Sequence, residues 1–409
     1  NQGGFKYLMT RTSLLAAVAA CALGLSVPAL AATYDEGASD TEIKIGNTNP
    51  YSGPASAYGS IGKSIAACFK KVNAQGGING RQINFISLDD GYSPPKTVEQ
   101  TRKLVESEGV LGVVQGLGTP TNSAVHKYFN KKEVPQLFVA TGATKWGDPK
   151  NYPWTMGWQP NYQTEGRIYG NYLLQTKPDA KIAILYQNDD YGKDYVKGLK
   201  DSLGDKADEM IVAEETYEVT DPTVDSQIIS LKDSGADVFF NVTTPKFAAQ
   251  AIRKAYDIGW HPTQFLNNVS TSKAAVIDPA GVEKAKGIIS SYYLKDPTDP
   301  QWNDDPAVQA YREFMAQYYP DGDPADLFNI YGYAVAQLMV EVIRKCGDDL
   351  TRENLMKQAL SVDHFEIATL LPGISVTTGP DDHAALEQLQ LQQFDGKEWV
   401  LFGDIVGTE

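Results

Sequence analysis

Two short loops hold the residues of this chain best suited to chemistry. The first is Gly116-Leu117-Gly118-Thr119-Pro120-Thr121-Asn122, which follows an apolar strand pattern and opens a helical one. Thr119 suits the N-cap and Pro120 the first helical position. The unpaired N–H groups of a helix start attract an anion, typically a carboxylate. The glycines let a ligand approach the backbone. An ordinary capped helix has the same pattern, so that alternative stays open. A dinucleotide loop fits less well, because Thr121 stands where the third glycine of G-x-G-x-x-G belongs. The second loop is Ala140-Thr141-Gly142-Ala143-Thr144. It offers small residues and hydroxyls at the carboxyl end of a neighbouring strand, the edge where open α/β sheets bind ligands.

Catalytic patterns are missing from the sequence. His126, His261, His364 and His383 lie far apart without metal-ligand spacing. There is no Gly-x-Ser-x-Gly elbow and no lysine-bearing P-loop. Asp89-Asp90 reads as a loop cap before it reads as an acid/base pair. No enzyme activity and no cofactor are expected.

The two loops need a frame, and the chain supplies one by alternation. Strand patterns at 43–47, 83–88, 110–115 and 136–140 alternate with helical ones at 59–73, 95–107 and 120–130. Residues 145–160 break the rhythm with three prolines, three tryptophans and a tyrosine, and read as a crossing between domains. Alternation resumes with helices at 163–175, 191–203, 224–234 and 245–258, and strands at 182–186, 211–217, 238–242 and 265–266. An extended stretch at 287–294 leads into helical patterns at 307–319, 327–345 and 351–359, and strand patterns at 374–376, 389–394 and 399–406 close the chain. Repeated strand–helix units imply an α/β fold with parallel sheets and right-handed crossovers. With 409 residues, two domains are expected.

Residues 1–31 read as an address. Lys6 and Arg11 are followed by an apolar run at 14–25, too short for a membrane span, and then by Ala29-Leu30-Ala31. That is the form of a cleaved secretory signal peptide, with Met9 read as the start. Val18-Ala19-Ala20-Cys21 offers a weaker lipoprotein alternative. The mature protein is expected to be soluble in the periplasm. The chain has 36 basic and 51 acidic residues, a net charge of −15. The leader holds two of the bases and no acid, so the remainder is more acidic still. Such a surface repels nucleic acid and anionic lipid. Cys68 and Cys346 remain after cleavage, and an oxidising compartment allows a pair or two buried thiols.

One stretch carries a family likeness. Ile61, Ile65, Phe69 and Val72 recur at helical spacing, Gly76-Gly77 stops the helix, Asn79-Gly80 turns, and a strand begins at Ile83. The wording N-A-Q-G-G-I-N-G-R-Q-I at 73–83 closely resembles the first helix-to-strand turn of periplasmic receptors of the leucine/isoleucine/valine-binding-protein family. The resemblance implies a type I periplasmic binding protein, two Rossmann-like lobes joined by three crossover segments. It places lobe one at 41–154 plus 292–373 and lobe two at 156–290 plus 375–409. It further implies a monomer that binds a small molecule and serves an inner-membrane ABC permease; a ligand-sensing subunit is the other possibility.

The resemblance also assigns ligand contacts. Thr119 and Thr121 from the first loop, and Gly142, Ala143 and Thr144 from the second, would grip a carboxylate. Tyr58 would line the cleft, Tyr191 would lie over the ligand, and Tyr292 would sit at a crossing. Asn268 and Val269 match the loop where amino-acid-binding members place a glutamate against the ligand ammonium. Here no acid occurs between Trp260 and Ile277. That departure points to a carboxylate without an α-amine. With Tyr58, Trp146, Tyr191, Tyr292 and Tyr293 nearby, an aromatic acid is the first expectation, and a branched-chain amino acid or amide the second.

Overall fold

The computed structural model of the chain describes residues 30–407. The leader read at 1–31 therefore lies almost wholly outside the described residues. Among those described, no helix is long and apolar enough to cross a membrane.

Two sheets organise the rest. The first has five parallel strands in the spatial order Gln82–Asp89, Glu42–Asn49, Gly112–Val114, Gln136–Val139, Thr155–Gly157. The second has seven. Ile211–Tyr217, Ile182–Gln187, Val238–Val242, Thr263–Leu266 and Ile289–Tyr292 run parallel, and Gln388–Phe394 and Trp399–Gly407 add an antiparallel edge. In each sheet the chain starts at an inner strand, adds one neighbour, then crosses back to build outward on the other side. That reversal creates a crevice at the carboxyl ends of the strands.

The alternation read from the sequence is present nearly throughout. The pattern at 95–107 divides into an α-helix, Pro94–Arg102, and a wider π turn, Lys103–Ser107, that buries Leu104 and Val105. The crossing at 145–160 hides a short strand, Thr155–Gly157, at the edge of the first sheet. The strand expected at 374–376 does not form; Val376 makes a single bridge to Phe365.

After Tyr292 the chain leaves the second sheet and returns to the first. Helices Pro306–Tyr318 and Leu327–Cys346 share a core with Gly59–Ala74, and strand Gln388–Phe394 then rejoins the second sheet. Ser64 Oγ donates to Asn329 O at 2.6 Å where two of these helices touch. The motif at 73–83 is part of this joint. Gly77, at φ +80°, ends the helix, and a Cβ there would lie 2.1 Å from Arg81 O. Arg81 is buried and its guanidinium reaches Ser39 O, Tyr34 Oη and Asp348, tying the turn to the end of the long helix. Cys68 and Cys346 are both buried and unpaired.

In the second half, helices Tyr162–Thr176 and Asp190–Leu203 cross on glycines. A Cβ on Gly198 would lie 2.1 Å from Gln163 O, and one on Gly166 2.6 Å from Tyr195 O. Alanine normally favours a helix over glycine by about 1 kcal/mol. Here the backbone clash outweighs that gain. Gly198→Ala is expected to lower stability by about 1–3 kcal/mol. Thermal melting checks this, and an unchanged or raised midpoint would show that the helices are not in this contact.

Candidate functional site

A small cavity of about 30 Å³ lies where the carboxyl ends of the two sheets face each other. The loops that follow successive strands build its wall.

From the first sheet come Tyr58, Ile61, Tyr92, Leu117, Gly118, Thr119 and Ala140. Gly118, at φ +103°, is the N-cap of helix Thr119–Lys132, so Thr119 is the first helical residue and not the cap. Gly118 is required twice over, because a Cβ there would also lie 2.6 Å from the Tyr92 ring. Thr119 is buried with its Oγ1 2.6 Å from Thr141 Oγ1. The N–H groups of this first turn have no acceptor within the helix.

Not every residue expected here reaches the cavity. Thr121 Oγ1 turns back to the carbonyls of Leu117 and Gly118. Gly142 is pressed against Pro160 O and the Tyr162 ring, where a Cβ would meet them at 2.3 and 2.7 Å. Ala143 packs into the core of the second half. Thr144 is exposed; its N–H donates to Asp194 at 2.8 Å and its hydroxyl to Asn161 Oδ1 at 3.1 Å. The hydroxyl that this loop turns toward Thr119 belongs to Thr141. Trp146 lies beneath the loop against His126.

From the second half come Tyr191, Thr244, Asn268 and Val269, with Gln159 and Tyr162 from the crossing, Tyr292 and Tyr293 from the last parallel strand, and Phe328 and Tyr331 from the long helix. Tyr191 follows its N-cap Asp189, whose Oδ1 accepts from Tyr191 N and Gly192 N. Its phenol donates to Asn267 Oδ1. Tyr292 and Tyr293 stack at 4.6 Å. So Tyr58, Thr119, Tyr191, Asn268, Val269 and Tyr292 converge, and Thr121, Gly142, Ala143 and Thr144 stand outside. Tyr92, Thr244 and Tyr331 are wall residues that the sequence reading missed. Thr244 follows Val238–Val242, which flanks the reversal point of the second sheet, and Tyr92 follows the edge strand of the first, a signal that needs the strand order to be read.

Bonds bridge the cavity from both sides. Gln187 Nε2 donates to Tyr92 Oη at 3.1 Å, and Tyr58 Oη to Val269 O at 3.4 Å. Seven tyrosines line the wall and, among the described residues, no charged side chain does. Burial raises the phenols of Tyr58, Tyr92 and Tyr191 well above their ordinary range, so they stay protonated.

A family model described as "Periplasmic binding protein" matches residues 42–398. The chain belongs to that family. A curated relative, Leu/Ile/Val-binding protein homolog 2 of Brucella abortus, is 26% identical over 325 residues, covering 76% of this chain and 81% of the relative. The structure of a branched chain amino acid ABC transporter from Thermus thermophilus with bound valine is 15% identical with a TM-score of 0.80, covering 91% of this chain and 98% of that one. A fatty acid ABC transporter substrate-binding protein from Thermomonospora curvata is 23% identical with a TM-score of 0.76, covering 92% and 95%.

In this periplasmic binding protein the cavity wall at 267–270 is anchored from behind. Glu165 is fully buried. Its Oε2 accepts from Asn268 N at 2.9 Å and Tyr169 Oη at 2.7 Å, and its Oε1 from Tyr195 Oη at 2.5 Å. Burial dominates over these bonds and pushes the carboxyl up to about 7 from its ordinary 4.5. A carboxyl raised by folding binds its proton more tightly folded than unfolded. Its contribution is therefore fully present below the unfolded value and is lost as pH rises through the folded one. Glu165→Gln cannot ionise. The melting temperature of the wild type is expected to fall relative to that variant between about pH 4.5 and pH 8, by an amount equivalent to roughly 3 kcal/mol. Parallel curves would refute this role.

Proposed function

We propose that the protein is the ligand-capturing receptor of an ABC importer for small carboxylates of the branched-chain amino acid type, acting as a periplasmic monomer that delivers to an inner-membrane permease. The observation that carries the proposal is the neutral, enclosed cavity between the carboxyl ends of two parallel sheets, with a helix start on one side. The helix start at Thr119 suits a carboxylate, and the aliphatic and aromatic wall suits a branched side chain. Closure would swing the two halves about the crossing segments, which the family resemblance would put near Trp154–Trp158, Ser290–Tyr293 and Gly373–Val376.

An aromatic acid, the first expectation from the sequence, takes second place. Two of the three relatives named above are of the Leu/Ile/Val-binding and branched chain amino acid kinds, and the third is a fatty acid one. The tyrosine rings on which that expectation drew are themselves the wall, packed on one another and on Phe328. Calorimetric titration should therefore find branched aliphatic carboxylates bound at least about tenfold more tightly than benzoate, a difference of about 1.4 kcal/mol. The reverse order would restore the aromatic reading.

The two threonine loops divide the prediction further. A hydroxyl bonded to a charged ligand is worth roughly 1.5–3 kcal/mol. Thr119→Val is expected to weaken binding about 10- to 100-fold, while Thr144→Val, whose hydroxyl is turned to Asn161, leaves it within about twofold. Affinity and unliganded melting temperature are measured together, so that loss of the Thr119–Thr141 bond is seen separately. Equal losses in both variants would return Thr144 to the site.

A further inference from the structure

Two groups on the cavity wall prefer different chemistry. From the first half the helix start at Thr119 favours a carboxylate. From the second half stands Asn268, buried, with Nδ2 making no hydrogen bond. A buried donor without a partner costs about 1–3 kcal/mol, and an oxygen acceptor on the ligand relieves that cost. A ligand ammonium does not.

Nor, among the described residues, does a carboxylate line the cavity. Glu165 already accepts three bonds, from Tyr169, Tyr195 and Asn268 N–H. Asp189 is held by Gln187 and by the N–H groups of Tyr191 and Gly192. Asp326 accepts from Ser60, Ser272 and Phe328 N–H. Asp90 accepts from Thr97 and Tyr92 N–H. None of the four lines the cavity. An ammonium would enter a neutral, phenol-lined space and lose its water without gaining a carboxylate.

We infer that the position beside Asn268 takes an oxygen acceptor in place of an α-amine, so that 2-oxo and 2-hydroxy acids with branched aliphatic chains are bound at least as tightly as the corresponding amino acids. The inference rests on the reading of this cavity as the site for branched aliphatic carboxylates, and its test separates the two.

Leucine and 4-methyl-2-oxopentanoate, which differ only at the α-position, are titrated calorimetrically into the wild type and Asn268→Asp. The expected result is that the oxo acid binds the wild type at least as tightly as leucine, and that Asn268→Asp shifts the ratio of affinities at least about tenfold toward leucine. Leucine bound tenfold or more tightly than the oxo acid by the wild type overturns the inference and leaves the receptor reading standing. Binding of neither at millimolar concentration overturns the receptor reading, and the inference with it. Should Asn268→Asp not fold, the wild-type comparison alone decides.

Discussion

The buried carboxylate of Glu165 holds the cavity wall to the frame behind it. It sits on helix Tyr162–Thr176, accepts from Tyr195 on the next helix, and grips the backbone of Asn268 in the cavity loop. Through Tyr169 it also reaches Ser290 and Ser291 on the strand leading to a crossing. Hydrogen bonds to a charged group are individually strong, at roughly 1.5–3 kcal/mol. Three of them still do not offset the loss of water around this carboxyl, as its raised pKa shows. Its gain is geometric. An apolar residue at 165 could fill the space, but nothing else there would orient the 268 amide or align two helices and a strand on one point.

That anchoring matters because the topology delivers only loop ends, not a formed site. Both sheets start inside and build outward, so each has a reversal point, and the loops flanking these points face one another. Loop ends are free to take many conformations unless something removes that freedom. In the first half, Gly118 does so with a positive φ and a backbone pressed on Tyr92. Tyr92 itself has φ +60°, unusual for a bulky residue, and its N–H is held by Asp90, which in turn accepts from Thr97. In the second half, Asp189 caps a helix and so fixes Tyr191 over the space.

The sequence was legible where the physics is local. Apolar periodicity and turn glycines located nearly all strands and helices, because burial of one face repeats at 2.0 or 3.6 residues. The Gly76-Gly77 stop and the Asn79-Gly80 turn were read for the conformations they hold. Local reading failed where partners are distant. Strand Thr155–Gly157 has three residues amid prolines and tryptophans, and is a strand because Gln136–Val139 lies beside it. Thr119 and Thr144 look equivalent by loop and spacing, yet a short 3-10 turn at Thr144–Trp146 carries the second hydroxyl out toward Asn161 and leaves Thr141 facing inward. Tyr92 and Thr244 were invisible as wall residues until the order of strands was known.

The same distinction bears on how the cavity is kept shut. The bonds across it are few, and those at the wall join neutral groups: Gln187 to Tyr92, and Tyr58 to the carbonyl of Val269. Each such bond contributes about 0.5–1.5 kcal/mol net. Outside the wall the same two halves are also joined by charged groups, Ser272 Oγ donating to Asp326 at 2.9 Å and Lys145 pairing with Asp190 at 3.1 Å. On the proposed reading, a ligand that touched Thr119 on one side and Asn268 on the other would bind the closed form differentially, and only such differential affinity shifts the balance. A wall of neutral phenols and amides is suited to that task.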